Sequence, residues 1–305
     1  MDFELRDVEY FAVLAEHGHV GRAAEALGLG QPALSISLRR LEKAAGAKLV
    51  KRTPKGVELT AVGAALLSHV SRLRLARDDL ARELGDLSRG RAGRLRIGSN
   101  PPYAEELPAA YASLLREAPS VTLAITVSDN DVMIPALRNG ELDLVINYLA
   151  DSPYEGCVTE RLYDEEIVVC ASARHPLAKQ KVVTMAELTR ERWALSPVNM
   201  LPWHWLHRAF SDRGLPPPKV TVETRSIRLR VQTVATSNLL GFISKRNLRQ
   251  TGPGFHLKEL PVKEVTWRRT VGVIYRKEGY LSPAARRLIE ILKIAARETS
   301  HERTR

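Results

Sequence analysis

The chain has 305 residues, 44% of them hydrophobic and 27% charged, and carries 46 Lys and Arg against 35 Asp and Glu, a formal net charge of +11. That length exceeds one ordinary core, so two or three domains are expected, and the composition excludes a disordered chain. The absence of any run of 18 apolar residues excludes a membrane-spanning helix, while the basic balance points to an anionic partner: nucleic acid, anionic lipid or an acidic ligand.

In chain order, Leu5, Val8, Phe11, Ala12, Leu14 and Ala15 recur at three- and four-residue steps and form one apolar helix face, stopped by Gly18. A second helix is expected from Val20 to Leu27, with Ala23, Ala24 and Leu27 inward. Gly28-Leu29-Gly30 turns the chain, with Leu29 plugging the corner, and Gln31-Pro32 opens a third helix at the position proline tolerates. There Leu34, Leu38, Leu41 and Ala45 make the buried stripe, while Pro32, Ser35, Ile36, Arg39 and Lys43 face away. This is a helix-turn-helix layout, whose second helix fits a DNA major groove. Any three-helix domain holds such corners, so the pattern alone leaves a plain helical domain open. The next stretch, KLVKRTPKGVELT, reads as two short strands turned at Pro54-Lys55-Gly56. From Arg39 to Lys55 there are seven Lys or Arg and one acid, Glu42. A basic hairpin beside a recognition helix is a wing suited to phosphates.

Here the chain resembles the LysR-type transcriptional regulators. The resemblance is carried by RAAEAL, QPALS, RRLE, KRTPKGVELTAVG and, further on, GELDLVI and RHPLA, in matching order over essentially the whole chain. It implies that Gln31, Pro32, Ala33 and Ser35, with Ser37, face the major groove. By the same resemblance Arg39 and Arg40 contact the DNA backbone, and Arg52, Thr53 and Lys55 are wing contacts. Two positions depart: Gly30 stands where the family's Ser or Thr caps the recognition helix, and Ile36 stands at an often basic or polar position.

From Thr60 to Ser88 there is no proline, and Leu66, Val70, Leu73, Arg77, Leu80, Leu84 and Leu87 follow steps of four and three. This is a coiled-coil seam of about three heptads, which implies a homodimer; a helix packed on its own domain is the other reading. Arg77 interrupts the seam, either snorkelling to its edge or fixing register. SRGRAGR then makes a hinge. The expected organisation is a winged helix-turn-helix domain over 1–59, a dimerising linker helix over 60–88, a hinge over 89–94 and an effector-binding domain over 95–305.

In that last part RLRIGS, VTLAITVS and LDLVINYL read as strands, and EELPAAYASLLREA and DVMIPALRNG as helices, so a parallel α/β sheet is expected. The chain crosses into a second α/β lobe near EEIVVCASARHPLA, returns near EVTWRRTVGVIYRK, and ends in the helix SPAARRLIEILKIAARE. Lobe I is set at about 95–164 and 267–305, and lobe II at about 165–266. Two lobes joined by two crossovers enclose a ligand cleft, and the resemblance implies the architecture of type 2 periplasmic binding proteins. Loops at strand ends supply the candidates for effector binding: Ser99, Asn100 and Tyr103; Ser128 and Asn130; Asn199, Met200 and Trp203; Thr224 and Arg225. Each has a packing or surface reading beside it. Pro101-Pro102 is expected to stiffen its loop, and VATSNLLGFIS departs from the family's glycine-rich segment, so the effector is not assigned by analogy to aromatic-acid sensors. The arginines of lobe II favour an acidic metabolite.

No G-x-S-x-G elbow, P-loop or H-E-x-x-H is present, so no catalytic residue, metal or cofactor is expected. Cys157 and Cys170 are too few for a disulfide framework or a zinc site, but they leave a thiol-based redox-sensing regulator as an alternative, beside a non-specific DNA-binding protein. The start, MDFELRDVEYF, lacks the layout of a secretion signal, so a cytoplasmic location is expected. The partners expected are thus double-stranded promoter DNA, a small-molecule effector and further copies of the chain, a homotetramer by resemblance.

Overall fold

A computed structural model of the chain describes residues 3–89, 93–100, 103, 107–150, 152–250 and 256–301. Two compact units divide between Ser88 and Arg89. The middle of the expected hinge, residues 90–92, and Pro101-Pro102 lie outside the described residues.

The first unit begins with α1 (Leu5–His17), α2 (Val20–Ala26) and α3 (Gln31–Ala45). Their apolar faces close a core in which Phe11, Leu14, Ala23, Ala24, Leu34 and Leu41 are each at most 1% exposed. The alanines of α2 leave room for its neighbours to approach. Between α2 and α3 the turn is made by Gly28 (φ 66°), and the Leu29 N–H donates to the Ala24 carbonyl at 2.8 Å. Leu29 is half-buried there. α3 starts from Gly30, whose backbone is extended and which has no side chain to cap with.

The wing follows as β1 (Val50–Thr53) and β2 (Gly56–Leu59), antiparallel, with Arg52 opposite Val57. It docks on the end of α1: the Val57 N–H donates to the Gly18 carbonyl at 2.9 Å. Gly56 holds φ 135°, and a Cβ there would lie 2.1 Å from the Gly18 oxygen, so only glycine fits. The helix α4 (Ala61–Arg89) then leaves. Its first turns pack on the winged helix through Leu66 and Val70. Beyond them Leu73, Leu80, Leu84 and Leu87 are 54–75% exposed. The helix is thus packed on its own domain over its first turns, and the seam leucines beyond them are exposed. Arg77 binds Asp78 (3.1 Å) and Glu9 (3.4 Å).

In the second unit one sheet serves both lobes. The first three strands are β3 (Arg94–Ser99), β4 (Thr122–Val127) and β5 (Leu144–Tyr148), parallel, with α5 (Pro108–Glu117) and α6 (Asn130–Arg138) between them. They are followed by the long β6 (Cys157–Ser172), α7 (Met185–Leu188), β7 (Arg192–Leu195), α8 (Leu201–Ser211), β8 (Lys219–Glu223), α9 (Ile227–Ala235), β9 (Leu240–Ser244), α10 (Lys245–Gln250), β10 (Leu257–Glu259), β11 (Trp267–Arg276) and α11 (Pro283–His301). The strand order is β4-β3-β5-β11-β6-β9-β7-β8, with β10 on β6. The first half of β6 pairs with β11 beside β5, and Ile167–Cys170 pair with β9. β6 and β11 are thus the crossovers, antiparallel to their neighbours, and a core lies on each side of them. One gathers Leu95, Ile97, Leu114, Leu144 and Leu288; the other gathers Trp193, Leu206, Phe210 and Phe242. Strand β4 at one end of the sheet and β8 at the other have no further strand beside them among the described residues.

Candidate functional site

Two sets of polar residues stand out, one in each unit. In the first, Gln31, Pro32 and Ala33 are exposed on the opening turn of α3, with Ser35 half-buried behind them. Ile36 is 57% exposed on the same face. Arg39 is exposed and its Nε donates to the Ser35 carbonyl at 3.3 Å.

Ser37 does not share that face and is a correction to the expected DNA contacts. It is 5% exposed and its hydroxyl donates to Asp7 Oδ1 at 2.6 Å. Asp7 also receives Arg40, through Nε on Oδ2 and Nη2 on Oδ1 (2.5 Å), and Arg40 reaches Glu4 at 3.1 Å. The Arg40 guanidinium thus holds the Asp7 carboxyl below its usual range, against the opposing effect of burial. Arg40 stays half in solvent while its charge is taken up by α1.

The cations around α3 and the wing are differently placed. Lys51, Arg52 and Lys55 are exposed and form no ion pair among the described residues. Thr53 is half-buried, its hydroxyl 3.4 Å from the Gly56 carbonyl across the turn. Glu42 is buried and accepts Lys48 Nζ at 2.6 Å and the Leu49 N–H at 3.0 Å. The single acid between Arg39 and Lys55 is therefore spent inside, and the exposed acid of the wing is Glu58, opposite Lys51.

In the second unit a cavity of about 110 Å³ opens between the lobes, over β6 and β11. Asn100, Asn130, Asn199, Met200 and Arg225 line it, as expected from the loops. Arg225 pairs across the cleft with Asp129, and Asp129 also accepts from Asn100 Nδ2 at 3.3 Å. The Asn130 amide is engaged by Asn147 and by the Tyr154 hydroxyl at 3.0 Å.

The other five candidates do not line the cavity. Ser99 is fully buried on β3, and its hydroxyl turns back to the Asn100 carbonyl at 3.3 Å. Tyr103 is 2% exposed and donates to Glu165 on β6, which also receives Arg269 Nε at 2.5 Å. Burial pushes the Tyr103 hydroxyl well above its ordinary value. Ser128 is half-buried and its N–H donates to the Ser99 carbonyl at 3.1 Å. Trp203 stacks on His207 with centroids 3.5 Å apart. The Thr224 hydroxyl accepts from the Ser226 N–H at 3.2 Å, closing the turn into α9.

Residues that the loop argument overlooked complete the wall, among them Tyr148, Phe242, Ser244, Asn247, Arg230 and Arg269. Arg269 is 8% exposed at its side chain, and its guanidinium lies 5.0 Å from the ring centres of Tyr148 and Trp267. No loop rule finds these residues, because they sit on strands and in helices.

Burial works against the thiolate form at both cysteines. Cys170 is fully buried and burial pushes it up to about 12; Cys157 is half-buried and burial raises it too, although Arg138 opposes that. His175, 2% exposed, accepts the Leu177 N–H on Nδ1 at 3.2 Å and so caps a short helical turn.

The chain matches two family models: a bacterial regulatory helix-turn-helix protein of the lysR family over residues 5–64, and a LysR substrate binding domain over residues 88–297. It is similar to the HTH-type transcriptional regulator GbpR of Azospirillum brasilense, 28% identical over 296 residues, which cover 96% of this chain and 86% of that one. It is also similar to the transcriptional dual regulator GltC of Bacillus subtilis, 26% identical over 290 residues, covering 95% and 96% of the two. Among solved structures it shares its fold with full-length CbnR complexed with its target DNA (TM-score 0.61, 19% identity, 96% of this chain and 100% of that one). A full-length OxyR variant from Pseudomonas aeruginosa is alike in the same way (TM-score 0.63, 24% identity, 97% and 95%).

Proposed function

The chain belongs to the LysR-type transcriptional regulators, and from that premise we propose how its residues divide the work. It is a DNA-binding regulator with an effector-binding domain. The first turn of α3 enters the major groove, where Gln31, Pro32, Ala33 and Ser35 meet base edges and Ile36 meets a thymine methyl. Arg39, Arg52, Lys55 and Lys51 bind phosphates beside it. The observation that carries this reading is that Lys51, Arg52 and Lys55 on the wing are exposed and form no ion pair among the described residues, with Glu42 buried. The fold shared with CbnR, a structure determined with its target DNA, supports the same docking.

A second copy covers Leu73, Leu80, Leu84 and Leu87 on α4, so that two recognition helices address two half-sites. The free edges β4 and β8, with Ile125 and Val127 about half exposed and Val220 37% exposed, then suit contacts that build a tetramer. A small effector enters the interlobe cavity and shifts the lobes by its differential affinity for two arrangements. The protein works in the cytoplasm, where the promoter is. A direct test is the affinity of the purified protein for a duplex of its own upstream intergenic region, against random duplex at equal salt. A preference of about a thousandfold or more is expected of a specific regulator. Equal affinity for the two, and for a genome-wide selected pool, would sink the reading in favour of a non-specific DNA binder.

A further inference from the structure

Of the charged side chains that line the interlobe cavity, Arg230 and Asp131 have no ion-pair partner among the described residues, and of the two only Arg230 is buried. Arg225 and Asp129 pair with each other, Arg269 pairs with Glu165, and Asp131 is exposed to solvent at the start of α6. Arg230 is 6% exposed, has no carboxylate or other hydrogen-bond partner among the described residues, and its Nε is buried and unsatisfied. Burial brings its guanidinium down to about 10, which still leaves it fully charged near neutrality. An ion taken out of water without a counter-charge is a standing cost.

Local packing does not ask for this arginine. The inward face of α9 is otherwise apolar, with Ile227, Val231 and Val234 against Cys170 and Ala194, and Arg230 lies on that same face one turn from Ile227. An aliphatic residue would satisfy the helix. Arg228, two residues earlier, points the other way and is exposed. The surroundings of the cavity add to its positive field. The first turns of α6, α8 and α9 contribute Asn130, Leu201 and Ile227 to its wall, so the positive ends of three helix dipoles converge there.

We propose that Arg230 anchors the effector through a carboxylate, and that the effector is a small organic monocarboxylate. The proposal rests on the reading of the cleft as the effector site. One buried unpaired cation calls for a monoanion, because a dianion would leave negative charge beside Asp129 and Asp131. The planar guanidinium fork matches a carboxylate with two parallel hydrogen bonds. Asn199 and Asn247 remain to meet a hydroxyl or carbonyl on the ligand, and Tyr148, Ile167 and Phe242 to cover its carbon skeleton.

The test is thermal unfolding of the full-length protein at constant ionic strength. Sodium chloride is replaced stepwise by sodium acetate, lactate, pyruvate or benzoate; the matching amides, sodium phosphate and sodium sulfate serve as further arms. At least one carboxylate is expected to raise the unfolding temperature saturably, and its amide is not. In Arg230→Met that response disappears, and the ligand-free protein melts no lower than the wild type, since an unpaired buried charge has gone. Arg230→Lys keeps the charge without the fork and is expected to weaken the carboxylate at least tenfold, which covers the case of a poorly folded Arg230→Met. Arg228→Met, on the opposite face of α9, is expected to respond as the wild type does.

A wild type indifferent to every carboxylate would overturn the proposal, as would one that responds to phosphate or sulfate alone. So would a response that survives in both Arg230 variants. Operator affinity measured on the same samples separates the two readings. Intact operator preference with no carboxylate response removes only the Arg230 proposal, whereas lost preference in the wild type removes the regulator reading beneath it.

Discussion

In residues 3–88 the buried polar side chains are paired and the bare cations are outside; in the interlobe cleft the bare cation is inside. Asp7, Ser37 and Glu42 are each at most 7% exposed and every one has its partner, whereas Lys51, Arg52 and Lys55 stand in solvent without one. All three buried side-chain atoms without a hydrogen-bond partner among the described residues, Tyr111 Oη, Glu165 Oε2 and Arg230 Nε, belong to the second unit. The difference follows the size of what is bound. A polyanion lies along a surface, so its cations keep their hydration until it arrives and cost nothing while waiting. A small ligand has to be enclosed, and the enclosed group that meets it gives up its water beforehand.

The largest change expected from a single residue falls on the rigid side of this comparison. In Gly56→Ala the new methyl would meet the Gly18 oxygen at 2.1 Å, and alanine would be held at φ 135°. Strain at such a backbone, together with a displaced wing, is expected to destabilise the first unit by about 3 kcal/mol. Operator and random DNA would both bind more weakly. The four tryptophans, Trp193, Trp203, Trp205 and Trp267, all lie in the second unit, so their fluorescence transition should stay where it was. Hydrogen exchange in the wing and at the end of α1 should rise. A fluorescence transition that moved with the wing would mean that the two units do not unfold independently.

How much of this was legible in the sequence differs between the units for a physical reason. Local periodicity suffices for α1 to α3, for the wing and for β3 to β5, because each element's apolar spacing is written within a dozen residues. It also places the crossovers, since apolar runs flanked by charge occur where β6 and β11 are. Facing is harder. Ser37 follows the exposed Ile36 and reads as outer surface until Asp7, thirty residues earlier, draws its hydroxyl inward. Tyr103 reads as a cleft donor until Glu165, sixty-two residues later, accepts its hydrogen bond. In IRLR the two arginines are equivalent as text, and only the pitch of α9 sends Arg228 out and Arg230 in. The cleft is assembled from loops, strands and a helix turn far apart in the chain, and strand residues such as Tyr148 and Arg269 give no local signal of facing it.

A smaller effect should come from the exposed cations. Arg52→Ala removes a charge that forms no ion pair with another described residue, so the unfolding of neither unit should shift. Binding to operator and to random duplex should weaken alike, and the slope of log affinity against log salt should fall by about one. A slope that stayed the same would place Arg52 away from the phosphates. Loss confined to the operator would make it a base reader instead, and the contrast between wing and recognition helix would have to be redrawn.

The smallest expected effect tests whether a paired group inside the first unit behaves as the comparison says. Asp7 holds its proton less readily in the folded chain than an ordinary carboxylate, chiefly because Arg40 and Ser37 donate to its charged form. A carboxyl of lowered folded pKa stabilises the fold above its unfolded value, near 3.9. That contribution drains away as the pH falls from there through the folded value. Asp7→Asn keeps the shape and an acceptor for Ser37 but has no charge to lose. At pH 7 the variant should therefore be less stable, by about 1 kcal/mol for the weakened buried hydrogen bond to Ser37. The Arg40 contact adds little, because its side chain is 45% exposed. Once the pH has fallen through the folded value the wild type has lost this advantage, and the two proteins should converge. Hydrogen exchange of α1 and α3, compared between the two proteins at each pH, reads the difference directly. A gap as wide in acid as at neutrality would show that the Asp7 charge contributes nothing, and that α3 is held on α1 by its apolar stripe alone.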